Sequence, residues 1–524
     1  MIPRNALRFV DRLLARALPM SFVGSAVFGV GAAFVLYGTL ALGGAGVLRA
    51  LGVGIYLLLL VVVSVLLARR DARAFLVFWV TTALTQNLFV GIWLASGQPG
   101  GLLWTEAKSI SAVAAAVALS PRIGSLLRRQ PTVLFAFCAY GLAGLASVRW
   151  ISPGAVAYGR NFALPLVLAL LAYALVQGID LRTRARWVYQ ISALAIAFLA
   201  LGNLLEIFVG TLRWRSVLNA DSLGSVSALS TDTPVLGMSV GRAGGFLLEP
   251  VTTGYVATGA VIALLVAVQV RSELFPKKPR SPWSACLMKW QTWAILGGLV
   301  IASSGTKSSG LTLMAAFIMY VAARKLRPSR TGFAVVGVWA MSVLSVFLYM
   351  TIAKPSVLRY GLSDPLQIIG GDSTTYHWAG LVLGLRGSWS PPWGAGLGDG
   401  GNFYYNFHPD APKLPAEWLG SGSESGIGVL AHQLGLIGLV AFAVLIVALA
   451  SRWGAASAVM LVAWSAGALF GESYFGPLVA WAFVVPAGLL ALQEGEEMAA
   501  LPQAAVLAYI RGGWLRMRKS LAAR

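Results

Sequence analysis

Charge is divided very unequally between the two sets of segments that separate the long apolar stretches of this chain. If the first segment is placed inside, the segments on that side hold 28 of the 40 Lys and Arg and 7 of the 19 Asp and Glu, a balance of +21. The other side holds 12 basic and 12 acidic residues, a balance of zero. This division follows the positive-inside rule, so we expect a multi-pass membrane protein with both termini in the cytoplasm.

Apolar runs near twenty residues are long enough to cross the hydrocarbon core as helices. We therefore predict an all-α fold with about fourteen transmembrane helices. The predicted spans are 20–42, 50–68, 74–95, 105–120, 132–148, 161–178, 188–209, 251–270, 291–304, 309–323, 331–353, 428–450, 455–471 and 478–493.

Composition narrows the classes of partner and cofactor. A hydrophobic fraction of 58% with 11% charged residues is that of a membrane protein. The basic excess is explained by a cytoplasmic rim that meets anionic lipid headgroups, so we expect membrane lipids and no nucleic acid as partners. Three histidines in all, and Cys138 and Cys286 without CxxC spacing, indicate neither a metal centre nor a disulfide framework. We expect no cofactor.

The chain reads as a single integral-membrane domain, 1–524, with four segments outside the spans. Residues 1–19 place arginines at i, i+4 spacing, which predicts an amphipathic helix on the cytoplasmic surface. Residues 494–524 form a basic cytoplasmic tail. Residues 210–250 and 354–427 form two outer loops, and loops as long as the second are usually functional.

Arg242 and Glu249 frame the first candidate cluster, a glycine-containing stretch directly before an apolar span. An arginine can contact phosphate in a bidentate manner, or it can simply anchor a helix end at the interface. Glu249 precedes Pro250 and also fits an ordinary helix start. Lys307 lies in a second cluster, the small-residue turn 303–310 between two spans, where it either faces an outer cavity or reaches for water.

The loop 354–427 holds the third cluster. Glu424 stands where the chain re-enters the membrane and is our candidate general base, with a helix-start acid as the alternative. His377 could bind phosphate when protonated or satisfy a local backbone group, and Arg386 is a further candidate cation.

Aromatic residues suit stacking on sugar rings, although an interfacial belt explains some of them. The candidates for sugar binding are Trp378, Trp393, Tyr404 and Tyr405.

Four stretches in this order resemble the bacterial O-antigen polymerases and ligases, integral-membrane glycosyltransferases of the GT-C type. They are the stretch from Arg242 to Pro250, the Ser-Gly-x-Lys-Ser turn at 304–308, residues 373–398, and Glu424 followed by Gly435–Leu439. The resemblance covers roughly residues 240–445. In the N-terminal half only Arg160 resembles an arginine common in that family.

The resemblance implies a metal-independent, inverting transferase in the bacterial inner membrane, with a periplasmic site. Its donor is a glycan on undecaprenyl pyrophosphate, its acceptor is a sugar hydroxyl, and a chain-length regulator protein is a further expected partner. Arg242 matches a pyrophosphate-binding arginine. His377 falls where the family has a second arginine. The second positive charge at the pyrophosphate could therefore come from His377, Lys307 or Arg386. A glutamate at 424, where ligases carry histidine, favours a polymerase over a ligase.

A transporter or flippase for a lipid-linked saccharide is the alternative from another class. It too would need a basic cavity and aromatic side chains. It would place polar residues at mid-membrane and broken helices in both halves of the chain. The polar residues of this sequence gather instead at the outer ends of the predicted spans.

Overall fold

The computed structural model describes residues 47–95, 102–149, 152–210, 232–235, 238–247, 249–270, 289–325, 330–353, 373–401 and 425–493. These residues form a bundle of fifteen α-helices. The helices are α1 Val47–Arg70, α2 Ala72–Ala95, α3 Leu102–Ala118, α4 Ser120–Arg129, α5 Pro131–Ala146, α6 Pro153–Leu175, α7 Leu181–Val209, α8 Pro250–Val270, α9 Trp290–Ser304, α10 Ser308–Lys325, α11 Thr331–Ala353, α12 Ser373–Gly387, α13 Gly426–Trp453, α14 Ala455–Ala468 and α15 Pro477–Leu489.

Several of these helices could cross a membrane. In the described parts of the chain, six are long and apolar enough to do so, or seven if a bent pair counts as one span. Thirteen of the fourteen predicted segments overlap described helices, and 20–42 lies outside the described residues. The chain is thus an all-helical membrane protein in its main features, and the number fourteen stays a prediction.

The centre of the bundle is α8, whose side chains are buried on nearly every face. It packs between α7, α9 and α15, while α14 packs on α10, α13 and α15. At the periphery, α11 leaves Phe333 and Ile352 each 81% exposed. A helix that is apolar all round and buried belongs to the interior of a bundle, whereas an exposed apolar face suits contact with lipid.

Three elements depart from the sequence-based prediction. A β-hairpin of Asp232–Val235 (β1) and Met238–Gly241 (β2) lies within the predicted loop 210–250. Helix α12 lies within the predicted loop 354–427 and packs against α13, so that stretch is not loop throughout. Helix α4 fills most of the interval between the predicted spans 105–120 and 132–148, and it makes an angle of 70° with α3. The predicted segments 1–19 and 494–524 lie outside the described residues.

Candidate functional site

Arg242 begins a segment, residues 242–249, that we call the Arg242 turn; it connects β2 to α8. The backbone N–H of Ala243 donates to the carbonyl of Ser303 at 2.9 Å. The Nε of Arg242 donates to the carbonyl of Ser304, also at 2.9 Å. The last carbonyls of a helix have no partner within it, so the Arg242 turn caps the C-terminus of α9, where a cation is favoured by the helix dipole.

Glu206 fixes the same turn from the other side. Its Oε2 accepts hydrogen bonds from the backbone N–H groups of Gly244 at 2.7 Å and Gly245 at 2.6 Å. Glu206 is buried on α7, and the neighbouring Asn203 donates to Ser303 Oγ at 2.8 Å. Gly245 has φ +54°, and a Cβ there would lie 2.5 Å from the Asn203 Oδ1, so this position requires glycine. The turn is therefore held by two neighbouring helices.

Lys307 lies in residues 304–308, which we call the Lys307 turn. The Ser304 and Thr306 hydroxyls lie 2.9 Å apart, and the Tyr255 hydroxyl lies 2.6 Å from Ser308 Oγ. The Lys307 side chain is exposed. Because Arg242 is bonded to the carbonyl of Ser304, the two predicted cations belong to one connected piece of structure at the helix ends.

Glu249 precedes α8 on the Arg242 turn. Its Oε2 accepts a hydrogen bond from Thr252 Oγ1 at 2.5 Å. Burial raises the pKa of Glu249, while the Thr252 hydrogen bond and the charge of Arg242 act in the opposite direction. A carboxylate with a raised pKa close to a cation can serve as an acid or a base, and the same position is also a favourable helix start.

Helix α12 carries three predicted site residues to a different part of the bundle, against α13. Arg386 is exposed in its last turn, and His377 is half-buried. Trp378 is buried, with its ring centroid 6.0 Å from that of Phe347 on α11. Trp378 thus packs as a core residue, whereas Trp393 beyond the helix is 52% exposed and presents a ring to the surroundings.

Helix α13 is broken at Gly435, which has φ +67° and ψ −172°. The segment 388–397 supplies the missing partners on both sides of the break. Its N–H groups at 395 and 396 donate to the carbonyls of 432 and 433, and its carbonyls at 388 and 392 accept from the N–H groups of 436 and 437, at 2.8–3.1 Å. Non-helical backbone at membrane depth needs such protein partners.

Arg160 is held in a third group, the Arg160 cluster, which comprises Gln86, Glu106, Lys108, Arg160 and Asn161. Arg160 forms a salt bridge with Glu106 and donates to Asn161 Oδ1 at 3.0 Å. The buried Lys108 donates to Gln86 Oε1 at 2.6 Å.

A chain of amide side chains joins the Arg160 cluster to the Arg242 turn. Gln86 donates to Asn87 Oδ1 at 3.0 Å, and Asn87 donates to the carbonyl of Leu247 at 2.7 Å. Leu247 belongs to the Arg242 turn, so hydrogen bonds run from Lys108 on α3 through Gln86 and Asn87 on α2 to that turn.

Sequence reasoning missed several acidic and basic residues of this region. Glu106, Lys108 and Glu206 lie inside predicted apolar spans, and Glu472 lies between α14 and α15. Glu472 is buried and accepts a hydrogen bond from the Tyr158 hydroxyl at 2.6 Å. Ionisable residues within apolar segments are rare and usually have a defined role. That signal was available in the sequence and would have singled out the first three.

Glu424, Tyr404 and Tyr405 lie outside the described residues, so their roles stay predictions. Within the described ranges no group of three or more His, Cys, Asp or Glu could hold a metal ion. Comparison with known protein families, curated proteins and solved structures finds no match to this chain. Function therefore has to be inferred from the residues themselves.

Proposed function

We propose that this protein is an integral-membrane glycosyltransferase that polymerises oligosaccharide repeat units carried on undecaprenyl pyrophosphate, at the periplasmic face of a bacterial inner membrane. The observation that carries the proposal is the Arg242 turn, which holds Arg242 against the C-terminus of α9 and beside the turn that carries Lys307. Arg242 is bonded to Ser304 in the turn that carries the exposed Lys307, and its charge acts on Glu249, within the motifs that resemble O-antigen polymerases. A pyrophosphate leaving group needs this kind of charge neutralisation.

The reaction requires little covalent chemistry from the protein. The acceptor hydroxyl oxygen attacks the anomeric carbon on the face opposite the pyrophosphate, the bond from that carbon to the pyrophosphate oxygen breaks, and the hydroxyl proton passes to a carboxylate. Polyprenyl pyrophosphate leaves with the bonding electron pair. Glu424 is the proposed base and Glu249 the next candidate. Arg242 is the proposed phosphate ligand because a guanidinium can contact two phosphate oxygens at once.

Lys307 is the best supported source of the second positive charge. It belongs to the turn to which Arg242 is bonded, whereas His377 and Arg386 lie on α12 against α13. Arg160 is already paired with Glu106. We therefore assign Arg160 a supporting place in the proposed site.

The exposed ring of Trp393 is the best supported sugar-stacking surface among the described aromatic candidates.

A transporter of lipid-linked saccharide is the second candidate, because breaks occur in both halves of the chain: the 70° bend between α3 and α4 and the break at Gly435. Transporter sites use broken helices that meet near the midplane. Here α5 begins at Pro131, directly after α4, and Ser147 at its other end contacts the segment 388–397. Along the chain, α4 and α5 both lie between the bend and that segment, and α5 alone is about 24 Å long, which favours the enzyme over a single site formed by both breaks.

Incubation of the purified full-length protein with a lipid-linked oligosaccharide tests the proposal. A polymerase lengthens the glycan, a ligase moves it to an added acceptor such as a lipid A core, and a transporter in vesicles moves the intact lipid with no new glycosidic bond. Arg242→Ala should stop chain growth, while Arg452→Ala, an exposed arginine near the far end of α13, should not. Failure of the wild type to form any glycosidic bond, with transport observed, would replace the enzyme by the transporter.

A further inference from the structure

Glu206 is a buried carboxylate that the proposed reaction does not use. It lies in α7, one turn before the end of the helix at Val209, with 1% of its surface exposed. Burying a carboxylate is unfavourable unless strong donors surround it. Two such donors are the consecutive N–H groups of Gly244 and Gly245, at 2.7 and 2.6 Å.

These two N–H groups follow Arg242 by two and three residues, so Glu206 controls the backbone that carries the arginine. The carbonyl of Gly244 accepts from Thr253 Oγ1 at 2.7 Å, and Arg242 and Ala243 are bonded to the end of α9. The segment is thus fixed from α7, α8 and α9 together. Glu206 contributes two charge-assisted hydrogen bonds to consecutive backbone N–H groups, which are among the strongest bonds that a backbone can make.

We propose that Glu206 is a positioning residue that holds the Arg242 turn so that the Arg242 guanidinium is presented to the diphosphate of the substrate. Consecutive backbone N–H groups make a concavity that binds anions. With the Glu206 carboxylate seated there, the backbone is fixed and the substrate anion is left to the arginine side chain. The identity of that anion as a diphosphate rests on the proposed function, whereas the holding of the segment does not.

Two measurements on the full-length protein in detergent separate these claims. The first is the affinity for inorganic pyrophosphate, measured by titration. The second is the rate at which a thiol reagent labels a cysteine placed at Ala243, which is 2% exposed, in a background in which Cys138 and Cys286 are serine. Variants Glu206→Ala and Glu206→Gln are compared with Asp180→Ala, which removes the N-cap acid at the other end of the same helix.

For Glu206→Ala we expect labelling at position 243 to rise about tenfold or more and pyrophosphate affinity to fall by a similar factor. Glu206→Gln should lie in between, because its amide oxygen still accepts both hydrogen bonds without the charge. Asp180→Ala should leave both readouts at wild-type values even if it lowers the melting temperature. If Glu206→Ala cannot be purified, the intermediate effect of Glu206→Gln carries the test.

The outcomes are distinct. Wild-type labelling and wild-type affinity in folded Glu206 variants would overturn the positioning role. Equal changes in Asp180→Ala would also overturn it, since the effect would then be general loosening of α7. If the wild type binds no pyrophosphate but Glu206→Ala exposes position 243, the substrate class of the proposed function fails and the holding role of Glu206 stands.

Discussion

The Arg160 cluster and the Arg242 turn are joined by one chain of hydrogen bonds, yet they hold their arginines in different ways. Arg160 is paired with a carboxylate, Glu106, and its neighbour Lys108 is buried against an amide. Arg242 is held through Nε by the carbonyl of Ser304, and the nearby Lys307 is exposed. A carbonyl carries no formal charge, so the bond to Ser304 positions Arg242 without neutralising it, whereas Glu106 neutralises Arg160. On this difference rests our proposal that the first region is structural and that the second binds the ligand.

The largest effect should come from the arginines themselves. We expect Arg242→Ala to lower the rate of chain growth by about a hundredfold or more, as for the loss of a transition-state charge contact, and Arg160→Ala to lower it far less. Arg242→Lys should recover only part of the rate, because an ammonium lacks the planar fork of donors. The measurement is initial rate with a lipid-linked oligosaccharide. Equal losses in the two alanine variants would abolish the distinction between the regions.

Lys307 should matter less than Arg242, because an exposed ammonium is screened by solvent. We expect Lys307→Ala to reduce the rate about fivefold to tenfold, corresponding to about 1 kcal/mol, and Lys307→Arg to retain most of it. Lys325→Ala is the matched control, since that lysine occupies the other end of the same helix, α10. The effect of Lys307→Ala should shrink at high salt; a salt-independent loss would indicate a packing defect instead.

Glu249 provides a pH test of the Arg242 turn. Burial raises its pKa in the folded protein, so between the unfolded value, about 4.3, and the raised value the folded state binds more protons. The stability that Glu249 contributes is therefore present at low pH and is lost as pH rises through the folded pKa. We expect the melting temperature of the wild type, relative to that of Glu249→Gln, to fall as pH rises from about 4 to the raised pKa. If this difference in melting temperature rises instead, Arg242 and Thr252 rather than burial control the pKa of this carboxyl.

The smallest effect should be the coupling between Arg160 and Glu106. Their side chains are 31% and 29% exposed, so solvent screens the pair and a double-mutant cycle should give about 1 kcal/mol or less. We expect Arg160→Ala to lower the melting temperature. The double variant Arg160→Ala, Glu106→Ala should regain part of that loss. A large coupling in the rate of chain growth, with none in stability, would move Arg160 from a structural to a catalytic role.

The positions of the helices were largely predictable from the sequence, because a long apolar run can be recognised without knowing what it packs against. The predicted span 251–270 became α8 within one residue, and 331–353 became α11 with the same bounds. The loop regions were less predictable. Helix α12 begins with the polar residues 373–375, and it packs against the first half of α13, about fifty residues further along the chain.

The candidate site was predictable only in part, for a similar reason. Recognisable motifs contain Arg242, Glu249 and Lys307. In the structure, Arg242 forms a hydrogen bond with the turn that carries Lys307. The partners that fix them are remote in sequence: Glu206 precedes Gly244 by 38 residues, and Asn87 precedes Leu247 by 160. A single glutamate in an apolar run indicates that a partner must exist, but it does not indicate which backbone that partner belongs to.

The break at Gly435 sets a limit on the length of the chain before it. Four backbone hydrogen bonds connect 388–397 with both sides of the break, and every one of them depends on the number of residues in that segment. One extra residue between 388 and 397 would shift the whole pattern and leave several buried backbone groups without partners. The length of this segment is therefore fixed by its hydrogen bonds, and we expect insertions within it to destabilise the break at Gly435.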